Sequence, residues 1–279
     1  MHPIHLHHTK KNPLIIPTLI AHQKGFFAKR GLDVCLDLAE DFTFDGNSPF
    51  RDGKSDVMMG DLTFFFYMLE QGKKAVLTSN LTRTIHLVGR KGLKPPYEGI
   101  RAGVNRKGLF RLYLENDLKD LVPEAEIVWI NNSYERMQAL DHGEIDALVA
   151  IEPFVTDLTD KGHQIIWSTR NSDKNLVMWA FDQEFYEAHT ESVRTFHEAL
   201  EEAGNYFNHL SEAQKIQLCH EELGYEEAFA KRMKNFSFEP QAPIRLEDFN
   251  LCMEWMYREH EITNLYDGTE LIKNLGKTD

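Results

Sequence analysis

The stretch "FRDGKSDVMMGD" (Phe50–Asp61) decides the fold, because the chain repeats its pattern as "LDHGEIDALVAIEP" (Leu140–Pro153). In each copy, a glycine that can end a helix precedes an aspartate, a short apolar run and an acidic residue. The apolar run is typical of a strand that is buried on both faces of a parallel sheet. Open α/β sheets bind ligands outside the carboxyl ends of such strands. The repeat therefore predicts two similar lobes with Asp61 and Glu152 at corresponding strand ends. Chance repetition of a common Gly-x-x-Asp pattern is the alternative.

The chain around these stretches predicts two successive α/β units. "PIHLHH" alternates apolar and polar residues as a strand does, and a helical pattern ending near Gly31 and the strand "LDVCLDLAE" follow it. This β-α-β start is typical of a parallel sheet. The segment "GLKPPYEGIR" interrupts the first unit, and a second unit spans residues 93–181, including a helix "SYERMQALDHG" capped by Ser133. Residues 182–279 predict a helical flank.

The composition bounds the class of protein. Hydrophobic residues make up 42% and charged residues 27% of the 279 positions, which is ordinary for a folded domain. The net charge is −13 and no dense run of Lys or Arg occurs, so nucleic acid is not an expected partner. No apolar run reaches the ~18 residues of a transmembrane helix. The N-terminus shows no secretory signal, so we expect either a cytoplasmic protein or an export signal that is missing from this chain.

Metal and cofactor chemistry have little support in the sequence. Cys35, Cys219 and Cys252 lie far apart and have no C-x-x-C or Cys/His spacing, so we expect three buried thiols. The histidines His5 and His7 near the N-terminus have no accompanying Cys or carboxylate that would complete a metal site. The chain also has no P-loop, G-x-G-x-x-G, G-x-S-x-G or H-E-x-x-H motif. We therefore predict no metal, no cofactor and no catalytic residues.

Three segments resemble one known family of proteins. "AHQKGFFAKRGLDVCL" (Ala21–Leu36) resembles the "kGyFkkeGLdVel" signature of substrate-binding proteins for aliphatic sulfonates, taurine and nitrate, which are similar to thiamine-pyrimidine synthases and pyrimidine-precursor binders. "GKSDVMMG" is similar to their "GeaDvgig", and "ALDHGEIDALVAIEPF" (Ala139–Phe154) to their "aL..GeiDAavvwePf". The resemblance covers the chain from Ile4 to about Phe181.

This resemblance implies a type II periplasmic-binding-protein fold of two α/β lobes, each a mainly parallel sheet flanked by helices. Residues 1–92 and 182–279 would form one lobe and residues 93–181 the other, and a small solute would be enclosed in the interlobe cleft by hinge closure. The expected partners are that solute and the membrane subunit of an ABC transporter, and the expected oligomeric state is a monomer. Two features depart from the family's pattern: no export signal is visible in this sequence, and the Cys-rich "CCCFC" segment of the pyrimidine synthases does not occur in it.

In the first lobe, the candidate ligand-binding residues follow strand ends. His8, Thr9 and Lys10 follow the first strand and suit an anionic or heteroaromatic ligand, unless this histidine-rich segment is simply solvated. Gly60 and Asp61 follow the repeated strand, where helix amides attract anions. Helix capping by Asp61 is an equally good interpretation of that residue.

The next candidates follow the strand "KAVLTSN" and the loop "GVNRKG" of the second lobe. Asn80 and Arg83 end that strand, and an arginine there suits a carboxylate, sulfonate or phosphate unless it is an ordinary surface residue. Asn105 and Arg106 correspond to the loop that binds anions in the resembled family, at a helix N-terminus. That loop lacks the Ser and Thr residues of many family members.

Glu152 and Phe154 are the strongest candidates. An acidic residue at the end of a buried strand is costly unless it is paired, which a ligand amine, an aminopyrimidine or a neighbouring arginine would achieve. A salt bridge in the hinge is the alternative for Glu152. Trp129 and Trp179 fit a pocket wall but are more typical of a core.

These observations leave three functions open. The first is capture of a small polar solute, anionic or heteroaromatic, for an ABC-type importer. The second is a cytoplasmic enzyme on the same scaffold, a decarboxylase or biosynthetic enzyme, with His8 or His86 as acid and base. The third is a cytoplasmic ligand sensor whose helical flank binds a partner.

Overall fold

The β-α-β start that the sequence predicts is present in the computed structural model, which describes residues 2–39, 48–273 and 275. The strands are β1 (Ile4–Thr9), β2 (Val34–Ala39), β3 (Val57–Asp61), β4 (Ala75–Asn80), β5 (Ile85–Gly89), β6 (Arg101–Val104), β7 (Glu126–Trp129), β8 (Ala147–Ile151), β9 (Gln164–Ser168) and β10 (Val177–Asp182). The helices are α1 (Ile16–Gln23), α2 (Phe26–Lys29), α3 (Leu62–Glu70), α4 (Leu109–Asn116), α5 (Ser133–Asp141), α6 (Phe154–Asp160), α7 (Gln183–Ala188), α8 (Thr190–Asn208), α9 (Glu212–Gln217), α10 (Glu227–Arg232), α11 (Leu246–Arg258) and α12 (Gly268–Leu271).

The first sheet has five strands in the order β2-β1-β3-β10-β4. β1 pairs in parallel with β2 and β3, whereas β10 pairs antiparallel with β3 and β4. Every strand except β10 therefore runs in the same direction, which confirms a mainly parallel sheet. The carboxyl-terminal ends of β1, β3 and β4 and the amino-terminal end of β10 lie at the same end of this sheet. We call this end, where the parallel strands finish, the strand-end edge.

The second sheet repeats this arrangement position by position, in the order β7-β6-β8-β5-β9. β6 is parallel to β7 and β8, and β5 is antiparallel to β8 and β9. Its strand-end edge carries the ends of β6 to β9 and the start of β5. The strands of the repeated pattern, β3 and β8, occupy the central position in both sheets. The prediction of two similar α/β halves is confirmed.

The chain divides into two compact units, residues 1–82 with 175–279 (unit 1) and residues 83–174 (unit 2). The boundaries expected from the sequence, after residues 92 and 181, fall later in the chain. The difference arises from two strands. β5 pairs with β8 and β9 and so belongs to unit 2, while β10, which the sequence pattern did not predict, pairs with β3 and β4 in unit 1.

Each unit has its own aromatic or aliphatic core. In unit 1, Phe196 of α8 packs edge-to-face against Trp179 and Phe181 of β10, at centroid distances of 5.5 and 5.6 Å. Burial of such rings contributes about 1.5–3 kcal/mol each. In unit 2, the buried core joins Val88, Leu148 and Val155 to the apolar face of α5. None of the described helices is both long enough and apolar enough to span a membrane.

Two local expectations were wrong. Cys219 and Cys252 are buried, but Cys35 is exposed, because the alternation of β2 places Cys35 on the solvent side while Val34 faces the core. The N-cap of α5 is Asn132 rather than Ser133: its Oδ1 accepts hydrogen bonds from the backbone N–H groups of residues 134 and 135 at 2.9 and 3.2 Å.

The glycines of the repeated pattern have the left-handed conformation that the sequence predicts. Gly53 has φ = 71° and Gly143 has φ = 72°. Gly143 comes directly after α5, as expected of a helix end. Gly53 instead lies in the turn formed by residues 49–53, so the expected helix end is found at Gly143 and not at Gly53.

Candidate ligand-binding site

The residues at the end of β1 form hydrogen bonds within unit 1. His8 is 3% exposed, and its Nδ1 accepts a hydrogen bond from the Thr9 N–H at 2.8 Å. Burial lowers the pKa of His8, so this ring is neutral at pH 7. Lys10 Nζ donates to the Leu223 carbonyl at 2.7 Å and lies 5.6 Å from the Tyr225 ring centroid. Lys10 therefore links β1 to the helical flank.

Asp61 caps α3 at the end of β3. Its Oδ1 accepts hydrogen bonds from the N–H groups of Thr63 at 2.9 Å and Phe64 at 3.2 Å. Burial raises the pKa of Asp61, although these hydrogen bonds oppose the rise. The capping role that the sequence allowed is thus present. Gly60 precedes the cap and is partly exposed at the strand-end edge.

Asn80 ends β4 and faces the segment that precedes α11. Its backbone N–H donates to the Ala242 carbonyl at 2.8 Å, and its Nδ2 donates to the Pro243 carbonyl at 3.0 Å. A carbonyl only accepts hydrogen bonds, so the side-chain atom facing Pro243 must be the NH₂ group. Asn80 Oδ1 is buried and has no hydrogen-bond partner among the described residues.

A cavity of about 550 Å³ lies in unit 1 beside this segment, between β4, α8 and residues 241–243. His197 of α8 lines it and is 7% exposed. The two ring nitrogens of His197 are hydrogen-bonded to Gln241 Oε1 at 2.5 Å and to Thr78 Oγ1 at 2.9 Å. Burial lowers the pKa of His197 to about 4, against the opposing effect of Gln241.

Glu152 stands at the end of β8 in unit 2, at the position that Asp61 has in unit 1. Its Oε2 accepts hydrogen bonds from the Thr156 N–H at 3.1 Å and from Thr156 Oγ1 at 2.8 Å. Burial raises the pKa of Glu152, while these hydrogen bonds and the positive charge of Arg170 act in the opposite direction. This partly buried acid is therefore hydrogen-bonded to its own helix and stabilised by the charge of Arg170.

Arginines and a histidine surround the start of β5 on the same edge. Arg83 Nη1 donates to the Ser172 carbonyl, and Arg170 Nε donates to the Arg83 carbonyl at 3.2 Å. His86 is 6% exposed, and its Nδ1 has no partner among the described residues. Burial, reinforced by Arg170, lowers the pKa of His86 to about 4. The sequence analysis missed Arg170, although its position two residues after the strand "HQIIWS" was a usable signal.

The loop after β6 joins the end of β7. The Arg106 N–H donates to Asn131 Oδ1 at 3.1 Å, and the Arg106 guanidinium lies 5.6 Å from the Trp129 ring centroid. Asn105 Nδ2 donates to the Lys107 carbonyl within the loop. Trp129 is 38% exposed, whereas Trp179 is 2% exposed and belongs to the core of unit 1.

Phe154 begins α6 and is partly buried against the core of unit 2. Its ring contacts the Tyr134 ring edge-to-face, with the centroids 5.3 Å apart. The sequence analysis did not single out Tyr134. The described residues contain no group of three or more His, Cys, Asp or Glu side chains that could hold a metal ion.

Comparison with known proteins shows the fold. No family model matches the sequence, and no curated protein is significantly similar to it. The structure is similar to the periplasmic aliphatic sulphonate-binding protein SsuA of Escherichia coli, with a TM-score of 0.76 and 13% identity over 100% of this chain and 94% of that one.

Two further solved structures are similar. The alkanesulfonate-binding protein SsuA of Xanthomonas axonopodis pv. citri, bound to MOPS, has a TM-score of 0.69 and 13% identity over 98% of this chain and 99% of that one. The desulfurization enzyme DSZB has a TM-score of 0.62 and 15% identity over 97% and 96% of the two chains. The fold is thus the two-lobed α/β fold of the type II periplasmic binding proteins.

Proposed function

We propose that this chain binds a small polar solute, anionic or heteroaromatic, through residues at the strand-end edges of its units and delivers it to an ABC-type importer. The observation that carries the proposal is the similarity of the whole fold to sulfonate-binding proteins. Within this chain, the two sheets have corresponding strand orders. Each of these sheets also carries polar side chains at its strand-end edge, where open α/β sheets bind ligands.

The proposed ligand-binding residues are those that the sequence predicted, in the surroundings described above. They are His8, Thr9, Lys10, Gly60, Asp61, Asn80, Arg83, Asn105, Arg106, Glu152 and Phe154. The proposed membrane partner is the transporter's membrane subunit, and the proposed oligomeric state is a monomer. A fold of this class responds to its solute by a population shift towards the ligand-bound conformation.

An enzyme on the same scaffold is the alternative, since the desulfurization enzyme DSZB has a similar structure. The surroundings of the histidines do not favour it. His8 and His86 both have lowered pKa values, and that of His86 is about 4. A general acid must carry a proton at the working pH, and a strong general base needs a pKa near that pH. His86 meets neither condition at pH 7.

A thermal-shift and calorimetry panel of sulfonates, taurine, nitrate, aminopyrimidines and aromatic acids tests the proposal. We expect one class of solute to raise the melting temperature in a concentration-dependent way, because a ligand of the native state stabilises it by mass action. Chromatography of the same mixtures measures turnover. Consumption of a solute, or failure of every solute to bind, would contradict a solute-binding function.

Glu152→Gln is the matched site variant. The glutamine side chain retains an oxygen that can accept from Thr156, so the cap is kept while the charge is lost. If Glu152 binds the solute through its charge, affinity falls by at least tenfold with an unchanged melting temperature of the free protein. Unchanged affinity would restrict Glu152 to its capping role.

A further inference from the structure

Two adjoining cavities of unit 1 lie beside α8. The larger one, of about 550 Å³, is the cavity that His197 lines, and the smaller one has a volume of about 30 Å³. Glu201 and Gln241 line both cavities and so form their common wall. The smaller volume suits one water-sized group. The larger volume is typical of a pocket for a small molecule.

One face of α8 supplies charged and polar side chains to the larger cavity. Arg194, His197, Glu198 and Glu201 all line it, and their spacing of i, i+3, i+4 and i+7 places them on one side of the helix. Phe196, on the opposite side, is buried in the core of unit 1. The pattern of α8 therefore directs its polar face to the cavity and its apolar face to the core.

The charge that α8 brings to this wall is negative. Arg194 is bonded to Glu191 at 2.9 Å, so its positive charge is already balanced. Glu198 is exposed and Glu201 is partly buried. Neither side chain forms an ion pair or a hydrogen bond within the part of the chain that the structure describes. Among the described residues that line the smaller cavity there is also no lysine or arginine.

A buried acceptor without a partner belongs to the wall of the smaller cavity. Asn80 lines this cavity and is 6% exposed, and its Nδ2 donates to the Pro243 carbonyl at 3.0 Å. Its Oδ1 is buried and has no hydrogen-bond partner among residues 2–39, 48–273 and 275. A buried oxygen that accepts no hydrogen bond is costly. Asn80 and Glu201 therefore both call for a donor at this wall.

We propose that unit 1 binds a primary ammonium ion, the –NH₃⁺ group of a small alkylamine or diamine, in these two cavities. The ammonium group occupies the smaller cavity and donates to Asn80 Oδ1 and to the Glu201 carboxylate, and its alkyl chain lies in the larger cavity beside Glu198. A primary ammonium fits because it has three N–H donors and no acceptor. This site goes beyond the proposed solute-binding function and shares only Asn80 with the residues proposed there.

Four probes separate the charge from the N–H donors: butylammonium, 1,4-diaminobutane, butyltrimethylammonium and 1-butanol. Isothermal titration of the full chain at pH 7.5 measures each affinity at one low ionic strength, because salt screens exposed carboxylates. Butyltrimethylammonium keeps the chain and the charge but has no N–H, and we expect it to bind about tenfold more weakly than butylammonium. We expect no binding of 1-butanol. 1,4-Diaminobutane should bind more tightly than butylammonium, since its second ammonium group lies in the cavity that Glu198 lines.

Three variants assign the binding to the cavities. Glu201→Gln removes the charge of the common wall at nearly constant size, and we expect it to weaken butylammonium about tenfold. Glu198→Gln should weaken 1,4-diaminobutane more than butylammonium. The matched control is Glu202→Gln, which removes the same charge from the next position of α8. Glu202 lines neither cavity and is bonded to Arg30 at 2.6 Å, so this variant should bind both amines like the parent.

The outcomes separate a built site from general attraction of cations. If butyltrimethylammonium binds as tightly as butylammonium, or if Glu201→Gln and Glu202→Gln weaken the amines equally, the net charge of −13 explains the binding and the inference is overturned. Failure of both amines to bind overturns it as well. Solute binding then still stands or fails by its own panel, which contains other probes. Binding that depends on the N–H donors and on Glu201 but not on Glu202 supports the ammonium site.

Discussion

From the buried position of His197 we predict that unit 1 loses stability in mild acid. The imidazole is 7% exposed and is held between Gln241 and Thr78. Gln241 Oε1 only accepts hydrogen bonds, so His197 Nδ1 carries the proton and Nε2 accepts from the Thr78 hydroxyl. A second proton on Nε2 would reverse the hydrogen bond to Thr78, whose hydroxyl can donate to the Trp179 carbonyl at 3.4 Å, and would place a buried charge beside Trp179 and Phe196. This arrangement therefore disfavours the protonated ring.

The pKa values set the size and direction of the effect. Burial lowers the pKa of His197 to about 4 in the native state, whereas the value in the unfolded chain is 6.5. Between these two pH values the unfolded state binds the proton and the native state does not. The contribution of the neutral His197 to the free energy of unfolding is therefore fully present above pH 6.5, and it is lost as the pH falls towards 4. The total loss is roughly 3 kcal/mol, at about 1.4 kcal/mol per pH unit in the middle of the range.

Urea unfolding at pH 7.5, 6.0 and 5.0 measures this slope. Trp179 and Trp255 are buried in unit 1, so their fluorescence reports on that unit once Trp129 and Trp167 of unit 2 are replaced by Phe. In this background, His197→Gln should be less stable than the parent at pH 7.5. Between pH 6 and pH 5, the free energy of unfolding of this variant should then fall less steeply than that of the parent. The difference between the two slopes should be about 1.4 kcal/mol per pH unit.

The control variant is His142→Gln, since His142 is exposed and should leave the slope unchanged. Equal slopes in the parent and in His197→Gln would refute the reasoning. So would an NMR titration of His197 with a midpoint near 6.5, because the buried ring would then protonate as freely as in the unfolded chain. His86 of unit 2, whose pKa is also lowered to about 4, should add a second component in that unit.

Three further predictions concern stability. Burial opposes the ionisation of Glu70, but hydrogen bonds from residues 263–266 lower its pKa to about 2. The contribution of the Glu70 carboxylate to the free energy of unfolding is therefore present above pH 4.5 and lost as the pH falls towards 2. The Glu70→Gln variant should lose less stability over this range in acid unfolding curves. Asp61→Ala should cost about 1 kcal/mol by removing the cap of α3, whereas Asp61→Asn, whose oxygen still caps, should cost less than half as much in urea unfolding. Lys10→Met should cost about 1 kcal/mol and speed amide exchange at residues 218–225, and unchanged exchange would contradict a link from β1 to the flank.

The local elements could be predicted from the sequence because their patterns are local. The alternation of β1, the apolar runs of β3 and β8 and the left-handed glycines Gly53 and Gly143 each depend on a few neighbouring residues. The unit boundaries depend on pairing between distant segments. β5 is completed by β8, about sixty residues later, and nothing within β5 specifies that partner. The apolar run of β10 is bounded by Asn175 and Asp182, but its membership of unit 1 follows only from pairing with β3 and β4.

The site was harder to predict because one side chain can serve two purposes. Lys10 suits an anion by its charge, yet its ammonium is directed to the Leu223 carbonyl, a contact between residues far apart in sequence. Arg170 and Tyr134 carry no motif. Their positions become informative only when the strand order places the end of β9 and the end of β7 on the same edge of unit 2.

The repeated pattern itself has a structural explanation in both copies. Asp61 accepts hydrogen bonds from the first turn of α3, and Glu152 accepts them from Thr156 in the first turn of α6. An acid after a buried strand thus satisfies amides that the following helix leaves unpaired, in unit 1 and in unit 2 alike. Repetition of the acid is then expected whatever the solute is, because it follows from the strand-to-helix turn.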